Sequence, residues 1–232
     1  MKTKLLAIIA LLLFLPVQVD ASLTYGTFSF GEESSLQDFT TYTEGGTSDV
    51  LTVTASTITT TRAERIDNQY FYKDFGTDYF GTSFTHEFDY EITANLLGGF
   101  PATLIWCVTN TFGTIEDILA PDNNLRIDVG MPYNYHALIW VNTTADDGSN
   151  NTDNWTGSSV GTHYYCRVTR NGTSLTFTAY SDSGRASSVY TVTVTCGTDS
   201  FRYLNIGGTR DSTNNVSESY ISAEVSNLDI SP

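Results

Sequence analysis

Apolar and polar residues alternate at period two along most of the chain after its first 21 residues. This alternation is typical of β-strands, in which successive side chains point to opposite faces of a sheet. About thirteen such runs, rich in Val, Ile, Thr, Tyr and Phe, are separated by Gly, Asn, Asp and Ser turns. We predict an all-β protein, in which two packed antiparallel sheets form a β-sandwich.

The clearest local unit is the segment HYYCRVTRNGTSLTFTAYSDSGRASSVYTVTVTC, which starts at His163. Asn171-Gly172 lies between two alternating runs, and both residues tolerate the positive φ angles of a tight hairpin turn. The segment therefore predicts a hairpin followed by a third strand, which together form a meander. Residues 145–162, in contrast, are polar and predict a long loop without strand structure.

The first residues have the pattern of a secretory leader. Two lysines precede an apolar run from Leu5 to Leu15, and the small residue Ala21 suits a cleavage site. The run is too short to cross a bilayer, so residues 1–21 predict a signal peptide. Residues 22–232 then fit a single β-sandwich domain, which we expect to be secreted, extracellular and without a membrane span.

The chain carries a formal net charge of −15. This balance disfavours nucleic acid and anionic membranes as partners, because both would be repelled. It is compatible with a glycan or a cell-surface polysaccharide as the partner. Five Asn-x-Ser/Thr sequons would suit a glycoprotein, and they start at Asn142, Asn150, Asn154, Asn171 and Asn215.

Three cysteines allow at most one disulfide within the chain. Cys107, Cys166 and Cys196 each lie inside a strand-like run, where a cysteine is most often a small buried apolar side chain. Their spacing does not match a zinc site.

Several runs carry a resemblance to a known superfamily. They are YYCRVTRNGTSLTFTAYSDS, VYTVTVTC, FRYLNIGGTR and SNLDI, with YFYKDFGTDYF and FTHEFDYEI upstream. Together they resemble secreted, phage or environmental members of the concanavalin A-like lectin/glucanase superfamily, which includes laminin-G-like modules. The resemblance covers most of residues 69–230 and implies a jelly-roll sandwich. Lectins, adhesion modules and glycosidases share this scaffold, so it does not imply one function.

The run EFDYE carries the candidate catalytic residues. Glu87, Asp89 and Glu91 share one face of the predicted strand, and their spelling resembles the motif of jelly-roll β-glucanases. A retaining glycosidase needs two carboxyl groups about 5 Å apart, which side chains at this spacing can supply. The three residues are therefore the candidates if the protein is an enzyme.

The order of the strands argues against this catalytic interpretation. In those glucanases an aromatic strand precedes the acidic motif, whereas here the comparable run FPATLIWCV, with Trp106, follows it. The strand in the catalytic position would then be LRIDVG, with Asp128 as its one acid. We therefore expect Phe88, Tyr90 and Ile92 to pack in the core while the acids face water.

Two further sets of residues are candidates for ligands. Asp146, Asp147 and Asp153 lie in the polar segment and supply the oxygen ligands that Ca²⁺ prefers, without the spacing of a helix-loop calcium site. No cofactor is required by any motif. The candidate glycan contacts are aromatic rings that could stack on a sugar and an amide that could bind its hydroxyls, namely Trp155, Tyr133, Tyr135 and Asn154.

The sequence favours a secreted, non-catalytic carbohydrate-binding or adhesion module. The first alternative is a retaining glycoside hydrolase of the same fold that uses Glu87, Asp89 and Glu91. The second is a structural surface protein or virion-decoration component.

Overall fold

The computed structural model describes residues 28–29, 39–44, 51–54, 56–63, 68–96, 102–114, 117–118, 124–130, 137–144, 150–209 and 220–231. The predicted signal peptide lies outside this set. Within it, no helix combines the length and the apolar character that crossing a membrane would require.

The described residues contain sixteen strands, numbered in chain order, which form two sheets whose pairings there are all antiparallel. Sheet A has the order β13 (Ser188–Thr195), β12 (Ser174–Tyr180), β11 (His163–Asn171), β6 (Ser83–Leu96), β16 (Tyr220–Ser231), β4 (Thr57–Ala63) and β3 (Leu51–Val53), with β1 (Phe28–Ser29) beside β16. Sheet B has the order β10 (Asn150–Ser158), β9 (Ala137–Thr144), β8 (Asn124–Gly130), β7 (Ala102–Thr109), β14 (Tyr203–Ile206), β5 (Asn68–Asp74) and β2 (Thr40–Glu44), with β15 (Gly208–Thr209) beside β7. The predicted two-sheet antiparallel sandwich is confirmed.

The core lies between the two sheets and follows the alternation seen in the sequence. On β6, Phe88, Tyr90 and Ile92 are fully buried, as predicted, and they join a cluster that includes Ile105 and Trp106 of β7. Each large apolar side chain that is fully buried contributes about 1.5–3 kcal/mol relative to an exposed one. The inward residues of β6 therefore fix which of its faces points outward.

The three cysteines are all free and buried. Burial raises the pKa of the Cys107 and Cys166 thiols, so both remain protonated at neutral pH. In the structure they act as small core residues rather than as a disulfide.

The hairpin between β11 and β12 is present, but its turn lies one residue later than predicted. Asn171 pairs with Ser174, so the two-residue loop is Gly172-Thr173. Gly172 has φ +60°, and Thr173 is not among the residues with positive φ. A turn with positive φ only at its first central residue is of type II′, which requires glycine there and leaves the asparagine in the strand.

The prediction of a loop over residues 145–162 is wrong for part of that segment. Asn150–Ser158 forms β10, which pairs with β9 at the edge of sheet B. An edge strand is held by its backbone hydrogen bonds and can present polar side chains to water, so a polar sequence does not exclude it. Residues 145–149 lie outside the described part of the chain.

Candidate functional site

Glu87, Asp89 and Glu91 project from β6 on the outer face of sheet A, the face that points away from sheet B. This placement follows from the alternation, because the residues between them are buried in the core. The expectation that all three acids face water is nevertheless wrong for Asp89, which is only 4% exposed. The physical reason is that side chains from a loop and from two neighbouring strands cover it.

Glu87 is held by two arginines. Arg167 lies directly opposite it on β11 and donates its Nε–H to Glu87 Oε1 at 2.6 Å. A second guanidinium, that of Arg185, lies 3.4 Å from Oε2. Charge-assisted hydrogen bonds of this kind are short and directional, so the two guanidinium groups fix the position of the Glu87 carboxylate.

Asp89 has three polar neighbours. Asn227 donates its amide to Oδ2 at 2.7 Å, and Arg185 Nη2 donates to Oδ1 at 3.2 Å. His163 Nε2 lies 3.4 Å from Oδ2. Both carboxylate oxygens are thus engaged, and Asp89 orients the side chains that surround it rather than presenting a free oxygen to a ligand.

Arg185 reaches the acids from the tight loop between β12 and β13. Its backbone has φ +51°, in the left-handed region, and Asp182 closes the loop by accepting hydrogen bonds from the Ser187 and Ala186 amides. These amides hold the pKa of Asp182 below its usual value. The loop therefore presents the guanidinium to both Glu87 and Asp89.

Asn227 reaches Asp89 because β16 is irregular at this point. The pairing of β16 with β6 runs from Ser226 opposite Asp89 to Asp229 opposite Glu87, so two residues of β16 lie opposite the single residue Phe88 of β6. Asn227 lies in this bulge with φ +49°, a conformation that asparagine tolerates better than most residues. A bulge turns side chains away from regular alternation, and here it directs the amide toward Asp89.

These residues surround an open recess of about 280 Å³. Its volume is near the lower end of the range for small-molecule sites, which suits one sugar ring or the end of a chain. Glu91 does not line it, and instead lies 3.6 Å from His163 Nδ1. The residues that line the recess include Glu87, Asp89, Tyr165, Arg185, Asn227 and Asp229.

Asp229 was not predicted as a site residue. It lies directly opposite Glu87, and its Oδ1 is buried without a hydrogen-bond partner. Its pKa is raised above the usual value by burial and then by the negative charge of Glu87, against the lowering effect of Arg185. In the sequence, Asp229 is one acid within the run SNLDI of the last strand. No pattern in the sequence indicates that it lies beside Glu87, which is more than a hundred positions away.

The residues predicted for glycan and calcium binding lie elsewhere or outside the described part. Trp155 is half-buried on β10, where its ring packs against the core and stacks on Tyr190 at 5.2 Å with an 8° interplanar angle. It therefore does not share a site with the acids of β6. Tyr133, Tyr135, Asp146 and Asp147 lie outside the described residues, whereas Asp153 and Asn154 lie on β10 opposite Val141 and Trp140.

A metal site would need several ligating side chains close together in the described ranges. Among these residues, no group of three or more His, Cys, Asp and Glu side chains could hold a metal ion. The candidate calcium ligands thus remain a sequence prediction.

No family model matches the chain, and no curated protein matches it. Solved structures do resemble it. The VIP36 exoplasmic/lumenal domain bound to Ca²⁺ and Man3GlcNAc has a TM-score of 0.58 at 10% identity, over 88% of this chain and 89% of that one. The alginate lyase from Klebsiella pneumoniae has a TM-score of 0.56 at 12% identity, over 79% of this chain and 84% of that one. A functionally unknown protein from Saccharomyces cerevisiae has a TM-score of 0.51 at 13% identity, over 85% of this chain and 98% of that one.

The chain has the concanavalin A-like jelly-roll fold. The resemblance seen in the sequence is confirmed at this level, since these structures share the architecture while their sequences have diverged. The concanavalin A-like fold carries both sugar-bound domains and polysaccharide lyases among these neighbours, so the fold alone does not assign a function.

Proposed function

We propose that this protein is a secreted carbohydrate-binding protein that takes a neutral glycan in the recess on the outer face of sheet A. The observation that carries the proposal is the lining of the recess. Carboxylates and an amide are suited to hydrogen-bonding sugar hydroxyls, and the ring of Tyr165 offers an apolar face for a sugar ring. The neighbours of known fold, a Man3GlcNAc-bound domain and an alginate lyase, support carbohydrate as the ligand class.

The charge of the recess favours a neutral glycan over an acidic one. Among the described residues that line the recess, three are acids, Glu87, Asp89 and Asp229, and one is an arginine, Arg185, and the whole chain carries a net charge of −15. A polyanion would approach against this field, whereas the hydroxyls of a neutral sugar are unaffected by it. The ligand class that fits is therefore a neutral oligosaccharide or polysaccharide.

A glycan array with neutral and acidic oligosaccharides tests this proposal. We expect binding to neutral glycans, weakened in Asn227→Gly and in Tyr165→Ala. The glycine variant keeps the positive φ of the bulge and removes only the amide. Tyr203→Ala removes a half-exposed tyrosine from sheet B and serves as the matched control. Equal binding by all three variants, or a preference for acidic glycans, would contradict the proposal.

Running the same array with Ca²⁺ and with a chelator tests the calcium ligands predicted from the sequence. A glycan site that uses Asp146, Asp147 and Asp153 through Ca²⁺ loses binding in the chelator. The recess on sheet A contains its own polar groups, so we expect glycan binding in the recess to persist in the presence of the chelator.

Secretion is part of the proposal and is tested separately. We expect the exported protein to begin near Ser22, as determined by N-terminal sequencing of material recovered from outside the producing cell. A structural surface or virion-decoration protein would instead assemble with itself or with protein partners and ignore every glycan on the array.

Bond cleavage is a second candidate function, which the sequence analysis did not favour. One observation supports it, namely that the recess contains two carboxyl groups on directly opposed residues with different electrostatic surroundings.

A further inference from the structure

We propose that the recess hydrolyses the glycosidic bond of its bound glycan, with Glu87 as the nucleophile and Asp229 as the proton donor. This inference rests on the proposed function, because it requires a glycan in the recess. It differs from the pairing expected from the sequence, in which the catalytic acids were sought within the single strand that carries Glu87, Asp89 and Glu91.

The two carboxyl groups leave sheet A side by side on its outer face. Glu87 and Asp229 are direct partners on adjacent antiparallel strands, and both line the recess. The Cβ atoms of such partners are about 4.5–5.5 Å apart. Retaining glycosidases hold their two carboxyl groups about 5–5.5 Å apart, whereas inverting enzymes need roughly 6.5–9.5 Å to admit a water. Side chains that leave the sheet this close together can bring their carboxyl groups to the retaining separation, and we assign that arrangement to the pair.

The carboxyl groups of Glu87 and Asp229 have different electrostatic surroundings. Glu87 contacts the guanidinium groups of Arg167 at 2.6 Å and Arg185 at 3.4 Å. Asp229 has one buried oxygen without a partner. Burial and the charge of Glu87 both favour the protonated form of Asp229, and Arg185 acts in the opposite direction. A carboxylate held by guanidinium groups suits the nucleophile, and a carboxyl that binds its proton more readily than usual suits the proton donor.

The other two acids of the EFDYE strand, Asp89 and Glu91, are not suited to be catalytic residues. Asp89 is 4% exposed and accepts hydrogen bonds from Asn227 and Arg185 on separate oxygens, so it acts as a positioning residue, whereas the Glu87 side chain is 26% exposed. Glu91 does not line the recess among the described residues and lies beside His163. Of the three acids of EFDYE, only Glu87 is left as a catalytic residue.

The reaction follows from these roles. Asp229 transfers its proton to the glycosidic oxygen as the bond from that oxygen to the anomeric carbon breaks, and Glu87 forms an ester with the same carbon. The leaving sugar departs as an alcohol. Asp229, now a carboxylate, takes a proton from water, whose oxygen attacks the anomeric carbon and releases Glu87. One water is consumed, the anomeric configuration is retained, and both side chains return to their starting forms.

The test uses each neutral oligosaccharide that the array shows to bind through Asn227 and Tyr165. The full protein should cut this oligosaccharide. NMR of the first product should show that the configuration of the anomeric carbon is retained. Asp229→Asn should lower the cleavage rate by about a hundredfold or more while the glycan still binds. Glu224→Gln changes an acid on the same strand that does not line the recess, and it should cleave at the normal rate.

A second readout separates catalysis from a merely structural effect. Glu87→Ala removes the partner of two arginines, Arg167 and Arg185, and could weaken the fold, so thermal melting is measured alongside activity. If Glu87 is the nucleophile, azide should restore turnover of an activated glycoside of the bound sugar in this variant and give a glycosyl azide of inverted configuration. Azide cannot restore activity that was lost through misfolding.

The outcomes distinguish this inference from the function on which it rests. Glycans that bind through Asn227 and Tyr165 but are recovered intact would overturn hydrolysis and leave glycan binding standing. Cleavage that survives in Asp229→Asn, or products of inverted configuration, would overturn the assigned roles. The absence of any glycan binding would overturn both proposals.

Discussion

Trp106 donates its indole N–H to Nδ1 of His86 at 3.0 Å, in the core of the sandwich. His86 is fully buried, and Phe84 stacks on its ring at 4.7 Å. Because Nδ1 accepts this bond, the neutral ring carries its proton on Nε2, which has no hydrogen-bond partner among the described residues. Burial lowers the pKa of His86 to about 3.

This histidine makes the stability of the protein sensitive to acid. The unfolded chain binds a proton at His86 below its ordinary pKa of about 6.5, whereas the folded protein does so only near pH 3. The contribution of neutral His86 to the free energy of unfolding is therefore fully present above pH 6.5, and it is lost as the pH falls from 6.5 toward 3. The slope from this one residue is up to about 1.4 kcal/mol per pH unit.

Chemical denaturation at several pH values measures the effect. His86→Gln retains an acceptor for Trp106 and removes the titration, so the wild type should lose stability more steeply than this variant between pH 6.5 and pH 4. Parallel curves for the two proteins would show that His86 is protonated in the folded state as readily as in the unfolded one.

Arg170 connects two loops through a buried guanidinium. It donates to the carbonyl oxygens of Gly81, Asp199 and Gly197 at 2.6–2.9 Å and is 1% exposed. Arg170→Met would leave these carbonyls without their donor, so we expect a loss of about 2–4 kcal/mol in the free energy of unfolding. Urea denaturation measures it. Arg202→Met, which breaks an exposed pair with Asp74, is the control and should change stability little.

The pKa of Asp229 should shift in opposite directions in two variants. Glu87→Gln removes a negative neighbour and should lower the pKa, whereas Arg185→Met removes a positive one and should raise it. The ¹³C chemical shift of the Asp229 carboxyl, followed through a pH titration, reports both. Shifts of the same sign in the two variants would show that these side chains do not surround Asp229 as described. This measurement is independent of any glycan.

Trp155 is expected to contribute to stability rather than to ligand binding in the recess. Its ring stacks on Tyr190 of β13 and meets Tyr164 of β11 edge-on at 5.0 Å, so it joins the edges of the two sheets. Trp155→Ala should reduce the free energy of unfolding by about 3 kcal/mol, the lower end of the range for buried aromatic residues, because the ring is half-buried. Trp155→Phe should retain most of the stability that the Trp155 ring contributes. Glycan binding abolished in a folded Trp155→Ala protein would instead support the contact predicted from the sequence.

The sequence was sufficient for the fold because period-two alternation is a local property. Each strand needs only its own residues to show which side is buried, as on β6, and β10 was missed because an edge strand needs little apolar content. The candidate site is not local in this sense. Asp229 meets Glu87 only through the register of β16 on β6, and that register depends on a bulge at Asn227 that no residue pattern marks.

The Arg185 loop connects two strands at the edge of sheet A and contributes nothing to the core. Its guanidinium nevertheless contacts both Glu87 and Asp89. Insertions, deletions and substitutions in an edge hairpin are tolerated far more readily than changes in a central strand. The charge and the shape of the recess can therefore diverge between relatives of this protein while the sandwich beneath stays the same, so ligand preference is free to evolve independently of folding.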